Sequence, residues 1–218
     1  DQTYRTTHTY DYADRQVTMT TYGTETATTT WSYDAQRGFL TRKEYPDGKG
    51  TDYTYTDAGR LATRTWARGV VTTYSYDNAG RLTLTDYSDT TPDVTVSYDA
   101  LSRQLTQSNG VATSTFAYDP ATLQLDTETI AYDLDTDGST DFTRVLDRSQ
   151  DNLQRPTGWQ LKDGTNTDHE VSYEYSSTDG RLSKVVGASS SSIFEYQYQA
   201  NSTNLLATVT GPAHTVTN

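Results

Sequence analysis

YSYDNAGRL, at residues 74–82, decides the fold, because residues 53–61 repeat it almost letter for letter as YTYTDAGRL. The second tyrosine of this motif is an anchor by which further copies can be compared. Anchors recur every 20 to 23 residues, at Tyr10, Tyr33, Tyr55, Tyr76, Tyr98 and Tyr118. Weaker copies follow at Tyr175 and Tyr198, and Gln150 takes the tyrosine position of a degenerate copy. About nine repeats of this period are typical of a solenoid, a propeller or another repeat array.

Each copy has the pattern of a β-hairpin. The run VVTTYSY alternates as a strand does, which places Tyr74 and Tyr76 on one face. The loop DNAG follows, and RLTLTDY forms the return strand, with Leu82 and Leu84 predicted to share a face. The sequence therefore predicts an all-β protein built from stacked hairpins, without long helices.

The last position of the hairpin loop changes from copy to copy. A glycine with positive φ is expected at Gly59 and Gly80. Other copies carry a different residue there, namely Asp14, Ser102 and Gln154. We therefore expect valine at Gly80 to destabilise the sheet, and valine at Ser102 to cost much less. In two copies the glycine lies one place later and predicts a loop that is one residue longer, at Gly38 and Gly180.

A large side chain usually lies two residues before the anchor, and it should face the same way as the anchor. Hairpins that are too small to bury their own apolar face must lie side by side, so these residues predict two parallel ladders across the sheet. The −2 positions are Trp31, Tyr53, Tyr74, Val96, Phe116, Tyr173 and Tyr196. The residues expected to maintain the repeats are Tyr10, Asp11, Tyr33, Asp34, Tyr55, Gly59, Arg60, Tyr76, Asp77, Gly80, Arg81, Tyr98, Asp99, Arg103, Tyr118, Asp119, Tyr175, Gly180, Arg181 and Tyr198.

Composition excludes several classes of protein. The formal net charge of -12 is unfavourable for binding nucleic acid, because phosphate contacts need a surplus of Lys and Arg. The absence of cysteine excludes disulfides and thiol catalysis. No apolar run is long enough to insert into a membrane. The chain begins and stops in mid-pattern, which we interpret as a piece of a longer polypeptide.

The motifs YDNAGRL, YTDAGRL, YDALSRQL and YDAQRGFLTRKEYPDG resemble the YD-repeat, or Rhs-repeat, family. The resemblance extends from about Tyr10 to Gly211. It implies a long β-sheet that spirals into a hollow shell, as in Rhs proteins, the cocoon-forming components of Tc toxins, and teneurins. In the toxins, such a shell encloses a C-terminal effector.

The chain departs from this family in two respects. We find no Pro-, Asp- and Gly-rich core segment of the kind that ends the toxin shells, and about nine repeats are too few to close one. We therefore predict that residues 1–218 form a single array, with an insertion at residues 132–147. This array is an open, curved fragment of the shell whose end strands are exposed edges.

The insertion contains the one candidate metal site. Its sequence DLDTDGSTD places aspartates at positions 1, 3, 5 and 9 of a calcium-type loop, at Asp133, Asp135, Asp137 and Asp141. Arg144 takes position 12, where a bidentate glutamate is usual. The alternative is an aspartate-rich surface turn whose carboxylates cap backbone amides.

No enzyme is predicted, because no nucleophile, base and orienting group can be assembled. The Asp–Arg pairs beside the loops, Asp77/Arg81, Asp99/Arg103 and more loosely Asp57/Arg60, are interpreted as hairpin-end ion pairs. The chain is predicted to be a shell segment of a secreted or surface bacterial protein, with the rest of its own polypeptide, including further repeats and a C-terminal effector, as partner. The alternative is an extracellular carbohydrate-binding or adhesion module, in which glycans would stack on Trp31, Trp66 or Trp159.

Overall fold

The computed structural model describes residues 5–188, 192–200 and 205–217, and these residues form only strands, turns and connecting segments. The all-β prediction is therefore confirmed. In this described part, no helix that is long and apolar enough to cross a membrane is found.

The first of two compact units comprises Asp1–Val96. Its strands are β1 (Arg5–Tyr10), β2 (Gln16–Tyr22), β3 (Thr26–Tyr33), β4 (Leu40–Glu44), β5 (Gly50–Tyr55), β6 (Leu61–Thr65), β7 (Val71–Tyr76), β8 (Leu82–Tyr87) and the beginning of β9 (Val94–Tyr98).

The second unit comprises Ser97–Asn218. It contains the end of β9 and the strands β10 (Gln104–Ser108), β11 (Ala112–Tyr118), β12 (Leu125–Tyr132), β13 (Phe142–Gln150), β14 (Pro156–Asp163), β15 (Asn166–Tyr175), β16 (Leu182–Gly187), β17 (Ile193–Tyr198), β18 (Leu206–Thr210) and β19 (Thr215–Thr217).

Consecutive strands pair antiparallel in both units, so the described strands follow one another in chain order within the sheet. Each anchor tyrosine ends one strand of a hairpin. The insertion lengthens the hairpin of β12 and β13, because residues 142–147 belong to β13 and residues 133–141 form the loop.

A shift in pairing precedes the anchor of most repeats. In the clearest copy Ser75 pairs with Leu84, whereas the next residue, Tyr76, pairs with Leu82. Thr83 is the extra residue of this bulge, and its hydroxyl donates to the Ser75 carbonyl at 3.2 Å. Further shifts lie directly before Tyr10, Tyr33, Tyr55, Tyr118, Gln150, Tyr175 and Tyr198.

The bulge corrects one prediction. Since Ser75 and Tyr76 point to opposite faces, their partners Leu84 and Leu82 do so as well. The prediction that the two leucines share a face is wrong, because counting residues in twos fails where one strand carries an extra residue.

Threonines, not aliphatic residues, are the most buried side chains. Thr29, Thr51 and Thr72 are 7%, 2% and 1% exposed, and no hydrophobic residue of the described part is fully buried. Each of the three lies two residues before a −2 aromatic residue and therefore on the same face. Thr72 also accepts a hydrogen bond from the Trp66 indole Nε1 at 3.0 Å. The tyrosine-bearing face is thus packed by a third row, of threonines, beside the two predicted ladders.

Candidate functional site

The hairpin loop is held closed by its aspartate and its arginine. Asp77 accepts hydrogen bonds from the backbone N–H of Arg81 at 2.9 Å and from its Nε at 2.7 Å. The backbone N–H of Arg81, followed by its guanidinium, holds the pKa of Asp77 below its usual value against the opposing effect of burial. The same pairs form between Asp11 and Arg15, Asp99 and Arg103, and Asp151 and Arg155.

The remaining predicted pair, Asp57 with Arg60, is replaced by a different contact. Thr56 takes the place of the loop aspartate, and its hydroxyl accepts from the Arg60 backbone N–H at 3.1 Å. The loops at Gly38 and Gly180 are one residue longer, as predicted, because each glycine N–H bonds the carbonyl four residues earlier, at Asp34 and Ser176, rather than three.

The arginine that ends one loop also lies over the anchor tyrosine of the next repeat. We call this contact the Arg–Tyr junction. The guanidinium carbon lies within 6 Å of the ring centroid, as cation–π attraction requires. The distances are 4.5 Å for Arg15 and Tyr33, 5.6 Å for Arg60 and Tyr76, 4.1 Å for Arg103 and Tyr118, 4.2 Å for Arg155 and Tyr175, and 4.3 Å for Arg181 and Tyr198. In one repeat Phe39 takes the arginine position and stacks on Tyr55 at 4.7 Å.

The hydroxyl of the anchor completes the junction. It donates to the backbone carbonyl of the residue that follows the arginine position of the preceding repeat. For Tyr76 this acceptor is Leu61, at 2.9 Å. Equivalent bonds of 2.8 to 3.0 Å run from Tyr33 to Gln16, Tyr55 to Leu40, Tyr118 to Gln104, Tyr175 to Pro156 and Tyr198 to Leu182. The tyrosine and the arginine therefore join neighbouring repeats, while an aspartate and an arginine close four of the described loops.

The left-handed loop position is part of the same network. A Cβ at Gly80 would lie 1.9 Å from Nη2 of Arg60, and one at Gly38 would lie 2.7 Å from Nη1 of Arg15. In another repeat, Arg155 Nη1 donates to the Gly180 carbonyl at 2.8 Å. A glycine here leaves room for the arginine of the preceding repeat.

The copies without glycine keep the same backbone. Asp14, Ser102 and Gln154 have φ values of 57°, 66° and 62°. The expectation that valine at Ser102 would cost much less than valine at Gly80 is therefore not supported by the backbone, since a β-branched residue is strained at positive φ in either place. The absence of glycine in the sequence does not indicate a relaxed turn.

The aspartate loop brings together three of its four predicted ligands. Carboxylate oxygens of Asp133, Asp135 and Asp141 lie within 4.8 Å of one another. Asp137 is engaged differently, because its carboxylate accepts from the backbone N–H and the hydroxyl of Ser139. These hydrogen bonds, chiefly the one from the hydroxyl, lower the pKa of Asp137.

Backbone amides also point into this loop. Asp133 accepts from the N–H groups of Asp137 and Gly138 at 3.1 and 3.0 Å, and Asp141 accepts from that of Leu134 at 2.7 Å. Arg144, at position 12 of the loop, instead forms an ion pair with Asp163 on β14 at 2.6 Å. The geometry is compatible with both sequence interpretations, a calcium loop and an amide-capped turn.

The three tryptophans have different surroundings. Trp66 lies 3.4 Å from the guanidinium of Arg64 and bonds Thr72, and Trp31 lies 5.5 Å from the ammonium of Lys43. Trp159 on β14 lines two cavities. Trp31 and Trp66 therefore each contact a cationic side chain.

An RHS Repeat family model matches residues 59–92, which confirms the resemblance predicted from the sequence over that stretch. Among curated protein sequences, none matches the chain.

Solved structures share the fold at low sequence identity. The crystal structure of TcdB2-TccC3 without hypervariable C-terminal region matches with a TM-score of 0.60 and 14% identity, and that of TcdB2-TccC3-Cdc42 with 0.59 and 13%. The Photorhabdus luminescens Tc holotoxin pore matches with 0.57 and 14%. Each alignment covers 97% of this chain and 14% of the other, so the chain spans about one seventh of their length. The matched repeat model and the shared fold both indicate a β-sheet repeat array.

Proposed function

We propose that this chain is a wall segment of a larger Rhs/YD-repeat shell that encloses or presents a C-terminal effector, in a secreted or surface-exposed bacterial protein. The observation that carries the proposal is the repeating junction between hairpins. At Arg60 and Tyr76, for example, it joins two neighbouring repeats by a hydrogen bond, a cation–π contact and a β-ladder.

The exposure of the first and last described strands supports further repeats as the partner. Five of the six residues of β1 and all three of β19 are exposed. Exposed edge strands offer unpaired N–H and C=O groups. Further repeats of the same polypeptide would cover these strands with the ladder that already operates within the chain.

Protease protection in the polypeptide that carries this chain tests the proposal. A downstream effector segment enclosed by the shell should resist a protease that degrades the same segment when it is produced alone. Truncation of this repeat segment should remove the protection while leaving the downstream segment intact. If the segment is cleaved equally fast in both contexts, the shell proposal fails.

A calcium-binding role of the aspartate loop is a second proposal. It is favoured by the convergence of Asp133, Asp135 and Asp141, because three carboxylates this close repel one another unless a cation or backbone amides offset their charge. Calcium bound there would stabilise the insertion hairpin of β12 and β13. The melting temperature measured with calcium and with EDTA tests this role.

Carbohydrate binding is an alternative proposal, and it is supported at Trp159 because this side chain borders two cavities. A glycan array with the wild-type chain and Trp159→Ala tests it. Binding that Trp159→Ala abolishes without loss of thermal stability would favour adhesion over a purely structural role.

A further inference from the structure

One repeat lacks both partners of the Arg–Tyr junction. Gln150 stands at the anchor position, and Gln124 stands where the preceding loop should supply an arginine. The −2 position is also polar, since it is Arg148 rather than an aromatic residue. The replacements coincide at one junction, which we call the gap, while the neighbouring repeats of the second unit retain the arginine and the tyrosine.

The missing side chains leave space. A cavity of about 500 Å³ is lined by Gln150, Pro156, Trp159, Leu161 and Tyr173, together with Leu146 and Arg148. A second cavity, of about 490 Å³, lies between the loops that begin at Asp119 and Asp151, and it shares Arg148, Ser149 and Gln150 with the first. The first cavity is mainly apolar in its lining, and the second is mainly polar.

Two polar atoms at the gap are buried without a partner among the described residues. They are Nη1 of Arg148 and Oε1 of Gln150. The other guanidinium nitrogen of Arg148, Nη2, makes only a long contact of 3.4 Å with Glu128. Buried polar groups are normally satisfied, and leaving one unpaired is costly. In the neighbouring repeats, the anchor position holds a tyrosine whose hydroxyl donates to a backbone carbonyl of the preceding repeat.

The pair of unpartnered atoms specifies the chemistry of a ligand. Nη1 of Arg148 is a donor and Oε1 of Gln150 is an acceptor, so a ligand that satisfies both must offer an acceptor and a donor. A neutral amide has this property. A carboxylate is disfavoured, because it offers no proton to Gln150 and would approach the carboxyl groups of Glu128, Asp126 and Asp151.

The apolar cavity specifies the rest of the ligand. Leu146, Leu161 and Pro156 offer no hydrogen bonds from their side chains to sugar hydroxyls, but they can bury a large apolar side chain beside Trp159 and Tyr173. We propose that the gap is a binding site for a peptide segment, which places an aromatic or aliphatic side chain in the apolar cavity and its backbone amide between Arg148 and Gln150.

This inference rests on the proposed function for the source of the peptide, which is a segment of the polypeptide that the shell encloses. It gives the wall an attachment point for that segment. Because the site is local to β13, β14 and β15, its binding chemistry can be measured on the 218-residue chain alone.

N-acetyl-L-phenylalaninamide is a suitable probe, since it combines an amide with one aromatic side chain. Saturation-transfer NMR should detect saturable binding with a dissociation constant of about 1 mM, as expected for a fragment of this size. Gln150→Tyr restores the residue of the other repeats and fills the cavity, so it should weaken binding at least about tenfold without lowering the melting temperature. Gln36→Tyr, at an exposed loop position, is the matched control and should bind as the wild type does.

A second variant separates recognition from folding. Arg148→Met keeps an apolar stem and removes the charged donor, which should weaken binding about tenfold, the effect of losing one hydrogen bond to a charged group. The inference is overturned if the probe shows no saturable binding to the wild type, or if it binds Gln150→Tyr equally well. It is also overturned if N,N′-diacetylchitobiose binds the gap and the amino-acid amide does not. A negative result here together with intact protease protection would remove this inference and leave the proposed shell function standing.

Discussion

Replacing Gly80 by alanine should destabilise the sheet more than replacing Gly69, although the two glycines have similar backbones. Their φ values are 82° and 89°, and each N–H closes its turn by bonding a carbonyl three residues earlier at 2.8 Å. A Cβ at Gly80 would lie 1.9 Å from Nη2 of Arg60, whereas one at Gly69 would meet nothing within 4 Å. The difference between the two variants therefore isolates the junction from the backbone.

The expected magnitudes follow from these contacts. Alanine at positive φ costs about 1 kcal/mol in either turn. At Gly80 the new methyl group also displaces the Arg60 guanidinium from the ring of Tyr76, which adds about 0.5–1 kcal/mol, the strength of a partly exposed cation–π contact. We expect Gly69→Ala to lower the free energy of unfolding by about 1 kcal/mol and Gly80→Ala to lower it by about 1.5–2 kcal/mol.

Urea unfolding followed by circular dichroism measures both values, and a double-mutant cycle identifies their cause. In an Arg60→Ala background the extra loss at Gly80 should disappear, because the guanidinium that the methyl group displaces is gone. Equal losses for Gly80→Ala and Gly69→Ala in the wild-type background would refute the junction. An extra loss that persists after Arg60→Ala would assign it to the backbone instead.

Three further outcomes are expected. Tyr76→Phe removes the hydroxyl that bonds a carbonyl of the preceding repeat, and it should lower the free energy of urea unfolding by about 1 kcal/mol. Tyr10→Phe is the control and should lower it by almost nothing, because Tyr10 is 59% exposed in the first described hairpin. Equal losses for the two variants would argue against the inter-repeat hydrogen bond. Calcium at a hundred times its dissociation constant should stabilise the chain by about 2.7 kcal/mol and so raise its melting temperature. Asp135→Ala should abolish this rise. A melting curve that changes with neither calcium nor EDTA would leave only the amide-capped turn. Hydrogen bonds from Arg181 lower the pKa of Asp179 from 3.8 to about 2. The stability that this carboxylate contributes is therefore present above pH 4 and lost as the pH falls towards 2. Asp179→Asn should flatten the dependence of stability on pH in this range, and an unchanged dependence would contradict the role of Asp179.

The repeat itself could be derived from the sequence, because its tyrosines recur at a regular interval and its strands alternate. The loop pairs were also accessible, since Asp77 begins a four-residue turn and Arg81 directly follows it. Counting along the chain could not show where Arg60 points, because its partner Tyr76 belongs to the next copy and the contact depends on the lateral packing of hairpins.

The bulge and the threonine row were missed for different reasons. Thr83 resembles any other strand residue, and only the observed register identifies it as the extra one. Thr72 looks like a surface residue by composition, yet it is enclosed by neighbouring strands and bonded by Trp66. A signal for the second feature was nevertheless present, since threonine recurs two residues before the −2 aromatics at Thr29, Thr51 and Thr72.

The threonine packing has a consequence for how stability changes with temperature. Unfolding raises the heat capacity through newly exposed apolar surface and lowers it through newly exposed polar surface. A sheet whose most buried side chains are hydroxyl-bearing should therefore have a heat capacity of unfolding per residue below the usual value of about 12–15 cal/mol/K. Its stability curve is correspondingly flat, so that cooling weakens the sheet little, and a chain that has unfolded presents few aliphatic surfaces through which it could aggregate before it folds again.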